Sequence, residues 1–174
     1  ILEASMSVLD KNLVSTEDIV SVAVTTDRSG TVAVGEDGEP LRDAIIWMDS
    51  RGTPYVRQAT GGLITFEGYG IGKALRWIPI TVGIPTRGGK DSIAHILWLK
   101  NEEPDTYRRA HKFLEPKDYI NMRLTGRMAG SYDSMLLHWV TDNRRIDDVR
   151  YHDGLLKLAG VEREKLPDLR KSVD

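Results

Sequence analysis

The chain of 174 residues contains no cysteine, which excludes disulfide bonds and thiolate chemistry and gives no sign of an oxidising compartment. It has no apolar run of 18 residues and no visible signal peptide. Its 24 basic and 26 acidic residues are interspersed, so the basic stripe typical of nucleic-acid binders is missing as well. We therefore expect a cytoplasmic protein that binds neither nucleic acid nor a membrane.

What is present is an ordinary composition, 40% hydrophobic and 29% charged. The length is sufficient for one domain with its own core. The first residue is Ile1 rather than methionine. We therefore expect the chain to be a piece of a longer protein.

The block from residue 19 to residue 51 is the most informative part of the chain. It holds an apolar run at 19–24, a polar elbow at 25–29, a hairpin and a second apolar run before Trp47. Apolar runs of this length, bounded by Gly and Asp, are typical of buried strands. Residues 36–38 (Glu-Asp-Gly) predict the hairpin turn, because Asp and Gly tolerate positive φ. Polar side chains at strand ends indicate a ligand site.

Helices dominate the rest of the chain, so the class is mixed α/β with strands early and helices late. Pro104 and Pro116 suit the first turns of helices, and Gly126 and Gly160 suit helix ends. Residues 113–114 are expected to form a very short strand. The predicted helices lie at residues 2–13, 53–58, from Asp91 or Ser92 onward, from Pro104 onward, 116–124, 131–139 and 153–159.

Residues 61–89 contain eight of the sixteen glycines together with Pro79 and Pro85, which predicts a long irregular insertion. Within it, residues 74–82 are strongly apolar for a loop. Exposed apolar surface usually meets another surface. A lid, a subunit contact, packing against missing parts of the protein and simple internal packing are all left open.

Five motifs occur in an order and spacing that resemble the first domain of FGGY-type carbohydrate kinases, the group of xylulose, glycerol and ribulose kinases. The resemblance covers residues 18–174, nearly the whole chain. The motifs are Trp47-Met48-Asp49-Ser50-Arg51, His95-Ile96-Leu97-Trp98-Leu99-Lys100 followed by Glu103-Pro104, Phe113-Leu114-Glu115-Pro116-Lys117-Asp118-Tyr119, Leu124-Thr125-Gly126 and Leu166-Pro167-Asp168-Leu169.

This resemblance implies a partial N-terminal domain of the actin-like ATPase (ribonuclease H-like) fold over residues 1–174, with the Gly-rich insertion at 61–89. The C-terminal nucleotide-binding domain would be absent from this chain. The implied reaction is ATP- and Mg²⁺-dependent phosphorylation of a sugar or polyol hydroxyl. The family's phosphate loop would lie before Ile1 and its catalytic Asp beyond Asp174.

The resemblance further implies that this chain alone is inactive and that its main partner is the rest of the same polypeptide. A homodimer is left open, as are the sugar and the hydroxyl phosphorylated. The alternative is a non-catalytic sugar-sensing or assembly module that kept the fold, since fold does not fix function.

The resemblance places Asp27, Arg28 and Ser29 in the loop that contacts the substrate. Arg28 matches the arginine of glycerol kinases, whereas Ser29 departs from the glycerol and xylulose kinase patterns. A guanidinium offers five donors in a fixed fork, which suits vicinal hydroxyls or a carboxylate. The alternative from the residues alone is an ion pair between Arg28 and Asp27 or Asp49.

Trp47 and Asp49 form a second candidate group with Lys90 and Asp91. Trp47 would pack on the apolar face of a sugar or lie in the core. Asp49 would bind substrate or cap the next helix, and Arg51 would pair locally. Lys90 and Asp91 align with a loop that contacts the polyol in glycerol kinases, although Lys90 departs from that pattern. His95 replaces a family lysine; it would be a pH-sensitive ligand group or, as the favoured interpretation, a satisfied packing histidine.

Overall fold

The computed structural model describes residues 2–11 and 13–172, and the mixed α/β class is confirmed. Short 3₁₀ turns lie at Thr16–Asp18, Leu136–His138 and Arg163–Lys165. The helices are α1 (Leu2–Leu9), α2 (Thr53–Thr60), α3 (Ile71–Thr81), α4 (Ser92–Glu102), α5 (Pro104–Arg109), α6 (Pro116–Thr125), α7 (Tyr132–Met135) and α8 (Asp153–Ala159). The strands are β1 (Val32–Val34), β2 (Thr65–Phe66), β3 (Tyr69–Gly70), β4 (Lys112–Leu114), β5 (Ala129–Ser131), β6 (Thr141–Asp142), β7 (Arg150–Tyr151) and β8 (Asp168–Arg170).

The strands pair two by two. β1 pairs antiparallel with β4, with Ala33 opposite Phe113, whereas β5 and β8 run parallel. β2–β3 and β6–β7 are short antiparallel pairs. The predicted turn at 36–38 is confirmed, because Gly38 has φ 82° and Val34 bridges Pro40 across the turn.

The main core is built around α4, whose first six residues are all buried. Apolar side chains from α3, β4, α5 and α8 pack against it. A smaller cluster joins β1 and β4 to Met122 of α6. Because α4 is enclosed, its first turn is a fixed platform between the polar segments that precede β1 and α2.

The strand predicted at residues 19–24 is wrong. Residues 19–27 form neither helix nor strand after the turn at Thr16–Asp18, and Val20 and Val22 are 96% and 75% exposed. A strand needs a neighbour that completes its hydrogen-bond ladder, and none of the described strands pairs with this run. An apolar pattern predicts burial, but it does not show whether a neighbouring strand is present to pair with.

The prediction that residues 61–89 are irregular is also wrong over most of its length. The segment contains the β2–β3 hairpin and the eleven-residue helix α3. Pro79 lies near the end of α3, where it removes a single helical hydrogen bond. The helix persists because Trp77 and Thr81 are buried on its inner face.

The other helix predictions are largely confirmed. α4 and α5 begin at the expected residues, and α6 and α8 both begin and end close to the expected residues. The first helix stops at Leu9, earlier than predicted, and Asn12 lies outside the described residues. The helix predicted at 131–139 is divided into α7 and a 3₁₀ turn. No helix in the described ranges is both long and apolar enough to cross a membrane.

Gly126 and Gly72 provide a matched pair of substitutions in which alanine is expected to act in opposite directions. Gly126 ends α6 with φ 72°, so Gly126→Ala should cost about 1 kcal/mol of unfolding free energy. Gly72 lies inside α3 with open space around its Cα, so Gly72→Ala should gain about 0.5–1 kcal/mol. Urea unfolding measures both changes, and equal signs would contradict the assigned backbone conformations.

Candidate functional site

The polar segment 25–29 forms one wall of a cleft of about 320 Å³. The start of α6 and the region of α7 form the opposite wall. The three predicted residues Asp27, Arg28 and Ser29 all lie in this cleft, whereas Trp47, Asp49, Lys90 and Asp91 do not. Its lining residues are Thr25, Thr26, Asp27, Arg28, Ser29, Glu115, Lys117, Asp133, Ser134 and Leu136.

The wall is fixed at its end by the chain's close approach to α6. Ser29 adopts φ 61°, a left-handed conformation that is uncommon outside glycine. A Cβ on Gly30 would lie 2.4 Å from Cγ of Pro116, so only glycine fits. Within the described residues, Arg28 makes no ion pair with Asp27 or Asp49, the alternative that the sequence left open.

Glu115 closes the bottom of the cleft and is 3% exposed. Its Oε2 accepts a hydrogen bond of 3.0 Å from the Gly30 N–H, and its Oε1 bonds Ser92 Oγ. Burial raises the pKa of Glu115 from 4.5 to about 8, although the hydrogen bonds from Ser92 and Gly30 oppose the shift. At neutral pH this carboxyl is therefore mostly protonated.

Lys117 lies beside Glu115 and contacts polar side chains of α7 and β5. Its Nζ bonds Ser131 Oγ and lies 3.3 Å from Oδ2 of Asp133. Partial burial opposes ionisation of Asp133, but hydrogen bonds from Ser172 and Ser131 lower its pKa to about 2. Burial raises the pKa of the neighbouring Asp118 to about 6, against the effect of Lys117. On this side the cleft thus carries the Lys117 ammonium beside the ionised carboxylate of Asp133, with Arg28 on the facing segment.

Trp47 and Lys90 form an exposed pair outside this cleft. Trp47 is 46% exposed, so the alternative of a core tryptophan is wrong. Lys90 Nζ lies 5.9 Å from the centre of the ring, within cation–π range. The pair presents an aromatic face and a charge to solvent.

Asp49 does not cap α2, because the helix begins at Thr53 with Gly52 as its N-cap. Oδ1 of Asp49 accepts from the Arg51 N–H at 2.9 Å and Oδ2 pairs with Arg51 Nε at 2.7 Å. The expected local pairing of Arg51 is confirmed. Its guanidinium also lies 4.5 Å from the Trp98 ring centre.

Asp91 occupies the N-cap position of α4, but its side chain makes no capping hydrogen bond. Its Oδ2 instead accepts from the Thr86 N–H and from Nε1 of Trp139, each at 2.8 Å. The carboxylate is buried and joins the segment before α4 to the turn after α7. Two strong internal donors occupy the oxygen that the sequence assigned to a substrate.

His95 links the two candidate groups. Its Nε2–H donates to the Asp49 carbonyl at 3.3 Å, since a carbonyl only accepts, and Nδ1 accepts from Thr31 Oγ1 at 3.2 Å. Burial lowers the pKa of His95 despite the nearby carboxylates of Asp49 and Asp91. The interpretation as a satisfied packing histidine is confirmed, and the residue fixes the 27–31 and 47–51 segments relative to each other.

A metal ion does not fit the cleft residues. Mg²⁺ prefers carboxylate oxygens, yet Glu115 is engaged with Gly30 and Ser92, and Asp133 with Lys117 and Ser172. Over the described part of the chain, no group of three or more acidic or histidine side chains could hold a metal ion.

A larger cleft of about 540 Å³ lies on the other side of Lys117. Asp118, Arg127 and Arg170 line it, and the exposed Val22 borders it. No residue that the sequence assigned to a site lies there.

Sequence reasoning missed Glu115, the N-cap of α6, and Lys117 in its first turn, which both line the cleft. The position of Glu115 directly after the buried strand β4 could have identified it, because polar residues at strand ends often belong to ligand sites. The Pro116 that follows indicated only a helix start. The partner of Glu115, Gly30, lies 85 residues away, and that contact has no local signature.

The fold is that of a sugar-kinase domain of the actin-like type. The ligand-bound xylulose kinase of Lactobacillus acidophilus has a similar structure, with a TM-score of 0.75 at 20% identity over 97% of this chain and 31% of that chain. This likeness concerns the fold alone.

The model of the FGGY family of carbohydrate kinases, N-terminal domain, matches residues 1–174, and the chain belongs to this family. The xylulose kinase of Bacillus subtilis is 27% identical over 177 aligned residues, which cover 99% of this chain and 32% of that protein. The xylulose kinase of Staphylococcus xylosus is 32% identical over 111 residues, 64% of this chain and 21% of that protein. The chain thus spans about a third or less of these relatives.

Proposed function

We propose that the protein containing this chain transfers the γ-phosphoryl group of ATP to a sugar or polyol hydroxyl, and that this chain holds the sugar. Family membership supports the reaction. The observation that carries the site is the cleft at 25–29, where Asp27, Arg28 and Ser29 face Lys117 of α6. These residues offer both donors and acceptors, as a ligand rich in hydroxyl groups requires.

Phosphoryl transfer leaves the protein mainly positioning and electrostatic work. Arg28 would donate to neighbouring hydroxyls, and Asp27 would accept from one. A carboxylate must also accept the proton of the attacking hydroxyl. Glu115 is buried and mostly protonated at neutral pH, so it does not suit this role. As the family resemblance implies, we place the catalytic aspartate beyond Asp174 and most of the ATP and Mg²⁺ site in parts of the polypeptide outside this chain, and we expect the chain alone to be inactive.

Trp47 and Lys90 extend the proposed sugar site outside the cleft. The exposed ring would pack on the apolar face of the sugar while Lys90 donates to an oxygen. Asp49 and Asp91 bind internal donors, and we assign them to holding this second group in place.

We propose that the outer face of α3 is covered in the protein that contains this chain. Ile71, Leu75, Ile78 and Val82 are exposed at spacings of four, three and four. Leu63, Ile64 and Phe66 before or within the β2–β3 hairpin are exposed too. The rest of the polypeptide, a closing movement and a second copy each remain candidate covers. The inner face of α3 is packed internally, so a lid would involve only the outer face and the hairpin.

Arg28→Ala tests the proposed site in the polypeptide encoded by the whole reading frame. The assay offers ATP and Mg²⁺ with a panel of ketoses, aldoses and polyols. Loss of a charged donor should lower kcat/KM for the sugar by about 10- to 100-fold while the KM for ATP changes little. Circular dichroism checks that the variant folds.

The matched control is Arg108→Ala, an exposed arginine on α5 that pairs with Asp105. Its kinetics should equal those of the wild type. Wild-type kinetics in Arg28→Ala would refute the placement of the sugar. Sugar binding without phosphoryl transfer would favour the sensing or assembly module over the kinase.

A further inference from the structure

The backbone of Gly30, directly after the proposed sugar-binding residues, is held on three sides. Its N–H donates to Oε2 of Glu115 at 3.0 Å, and its carbonyl accepts from Ser92 Oγ at 3.3 Å. The Pro116 ring occupies the space that a side chain at position 30 would need. The left-handed conformation of Ser29 precedes this fixed point.

A count of hydrogens shows which form of Glu115 fits this arrangement. Ser92 Oγ lies within hydrogen-bond distance of both the Gly30 carbonyl and Glu115 Oε1, but a hydroxyl has one hydrogen. If Glu115 were ionised, one of these two acceptors would lack a donor. If Oε1 carries a proton, Glu115 donates to Ser92 Oγ and Ser92 donates to the Gly30 carbonyl. Only the neutral acid satisfies every bond in the ring.

The charges around Glu115 do not change this conclusion. Lys117 and Asp118 lie in the first turn of α6, which Glu115 precedes. Asp133 faces Glu115 from α7, and Arg28 is the cation on the segment before β1. His138, from the turn after α7, places Nδ1 3.8 Å from Oε1, too far for a hydrogen bond. Burial lowers the pKa of His138 to about 3, so at neutral pH it brings no charge.

We propose that Glu115 is a positioning residue: as a neutral carboxylic acid it closes a hydrogen-bonded ring with Gly30 and Ser92, and this ring holds Arg28 and Ser29 toward the cleft. The effect on sugar binding rests on the proposed function. The ring itself is a property of the 174-residue chain and is testable without any sugar.

The ring has a pH dependence of defined sign. Between pH 4.5 and about 8 the folded chain keeps a proton on Glu115 that the unfolded chain has released. The contribution of Glu115 to the free energy of unfolding therefore falls as the pH rises through that window, and it is lost above about pH 8. Asp118 titrates near pH 6, and the two histidines have lowered pKa values, so the interval from 6.5 to 8 reports mainly on Glu115.

The first test compares wild type with Glu115→Gln in the 174-residue chain. The amide oxygen accepts from Gly30 and the amide nitrogen donates to Ser92, so the ring survives without a titrating group. The wild-type unfolding constant should rise by up to about tenfold per pH unit between 6.5 and 8, and that of Glu115→Gln should not. Equal slopes would overturn the neutral-acid assignment.

Hydrogen exchange at the Gly30 amide gives a second readout in the same chain. Exchange should be at least about tenfold faster in Glu115→Ala than in wild type, while Glu115→Gln keeps the protection. If Glu115→Ala does not fold, Ser92→Ala opens the same ring at the Gly30 carbonyl. Unchanged exchange in the variant measured would overturn the ring.

The kinetic test uses the whole-frame polypeptide. Glu115→Ala should raise the KM for sugar at least about tenfold with a smaller change in kcat, and Glu115→Gln should restore it. A ring confirmed in the chain, with unchanged KM in Glu115→Ala, would overturn the positioning role. If no sugar is turned over, the proposed function fails. The pH dependence of unfolding and the hydrogen exchange of Gly30, both measured in the 174-residue chain, still show whether the ring exists.

Discussion

Replacing Trp77 with alanine is expected to lower the free energy of unfolding by about 3–5 kcal/mol. The indole is completely buried against the main core, and its Nε1 donates to the Trp139 carbonyl at 2.7 Å. The variant would leave a cavity and also an unpaired buried carbonyl. Urea unfolding of the chain at neutral pH measures the loss.

Two further variants separate the causes of this loss. Trp77→Phe keeps most of the volume but loses the N–H donor, and should cost about 1–3 kcal/mol. Leu75→Ala, on the exposed side of the same helix, should stay within about 0.5 kcal/mol of wild type. If Trp77→Ala costs no more than Leu75→Ala, α3 is not part of the core, and all of residues 61–89 becomes a candidate lid again.

The sequence predicts best those elements whose signals are local. α6 was expected to begin at Pro116 and end before Gly126, and the helix Pro116–Thr125 confirms this. Proline at N1 and glycine at C′ act through their own backbone conformations, so no distant contact is needed. The same holds for the turn at 36–38.

The errors arise where structure depends on distant partners. The 19–24 run has the pattern of a strand, yet no described strand lies beside it. In the 61–89 segment, glycine content predicted irregularity, but burial of Trp77 outweighed the cost of Pro79 within α3. Tertiary packing decided both outcomes.

The residues of the candidate site also differ in whether the local sequence could predict them. The polar elbow at 25–29 was visible because its residues are consecutive and follow an apolar run, and the structure places them in one cleft. Glu115 and Ser92 were not identified as part of it, because their shared contact with Gly30 joins three separate parts of the chain. The resemblance pointed to residues 27–29, but the contacts of Gly30 with Glu115 and Ser92 are visible only in the folded structure.

Asp91→Ala is expected to cost about 2–4 kcal/mol of unfolding free energy, because Thr86 and Trp139 each lose the buried oxygen to which they donate. Asp91→Asn keeps an oxygen for both donors and should cost about 1 kcal/mol. Urea unfolding of the three proteins measures these differences. Equal losses in the two variants would show that charge, rather than the shared oxygen, sets the effect.

The same variants decide between support and substrate contact at Asp91. A supporting carboxylate predicts that Asp91→Asn leaves the KM for sugar in the whole-frame polypeptide within about twofold of wild type, whereas a direct contact predicts a rise of about tenfold. Because Trp77 holds the backbone of Trp139 and Asp91 holds its indole, the losses in Trp77→Phe and Asp91→Asn should not add in the double variant. Additive losses would mean that α3 and the start of α4 are stabilised independently, and Asp91 would then be open again to the role that the sequence assigned to it.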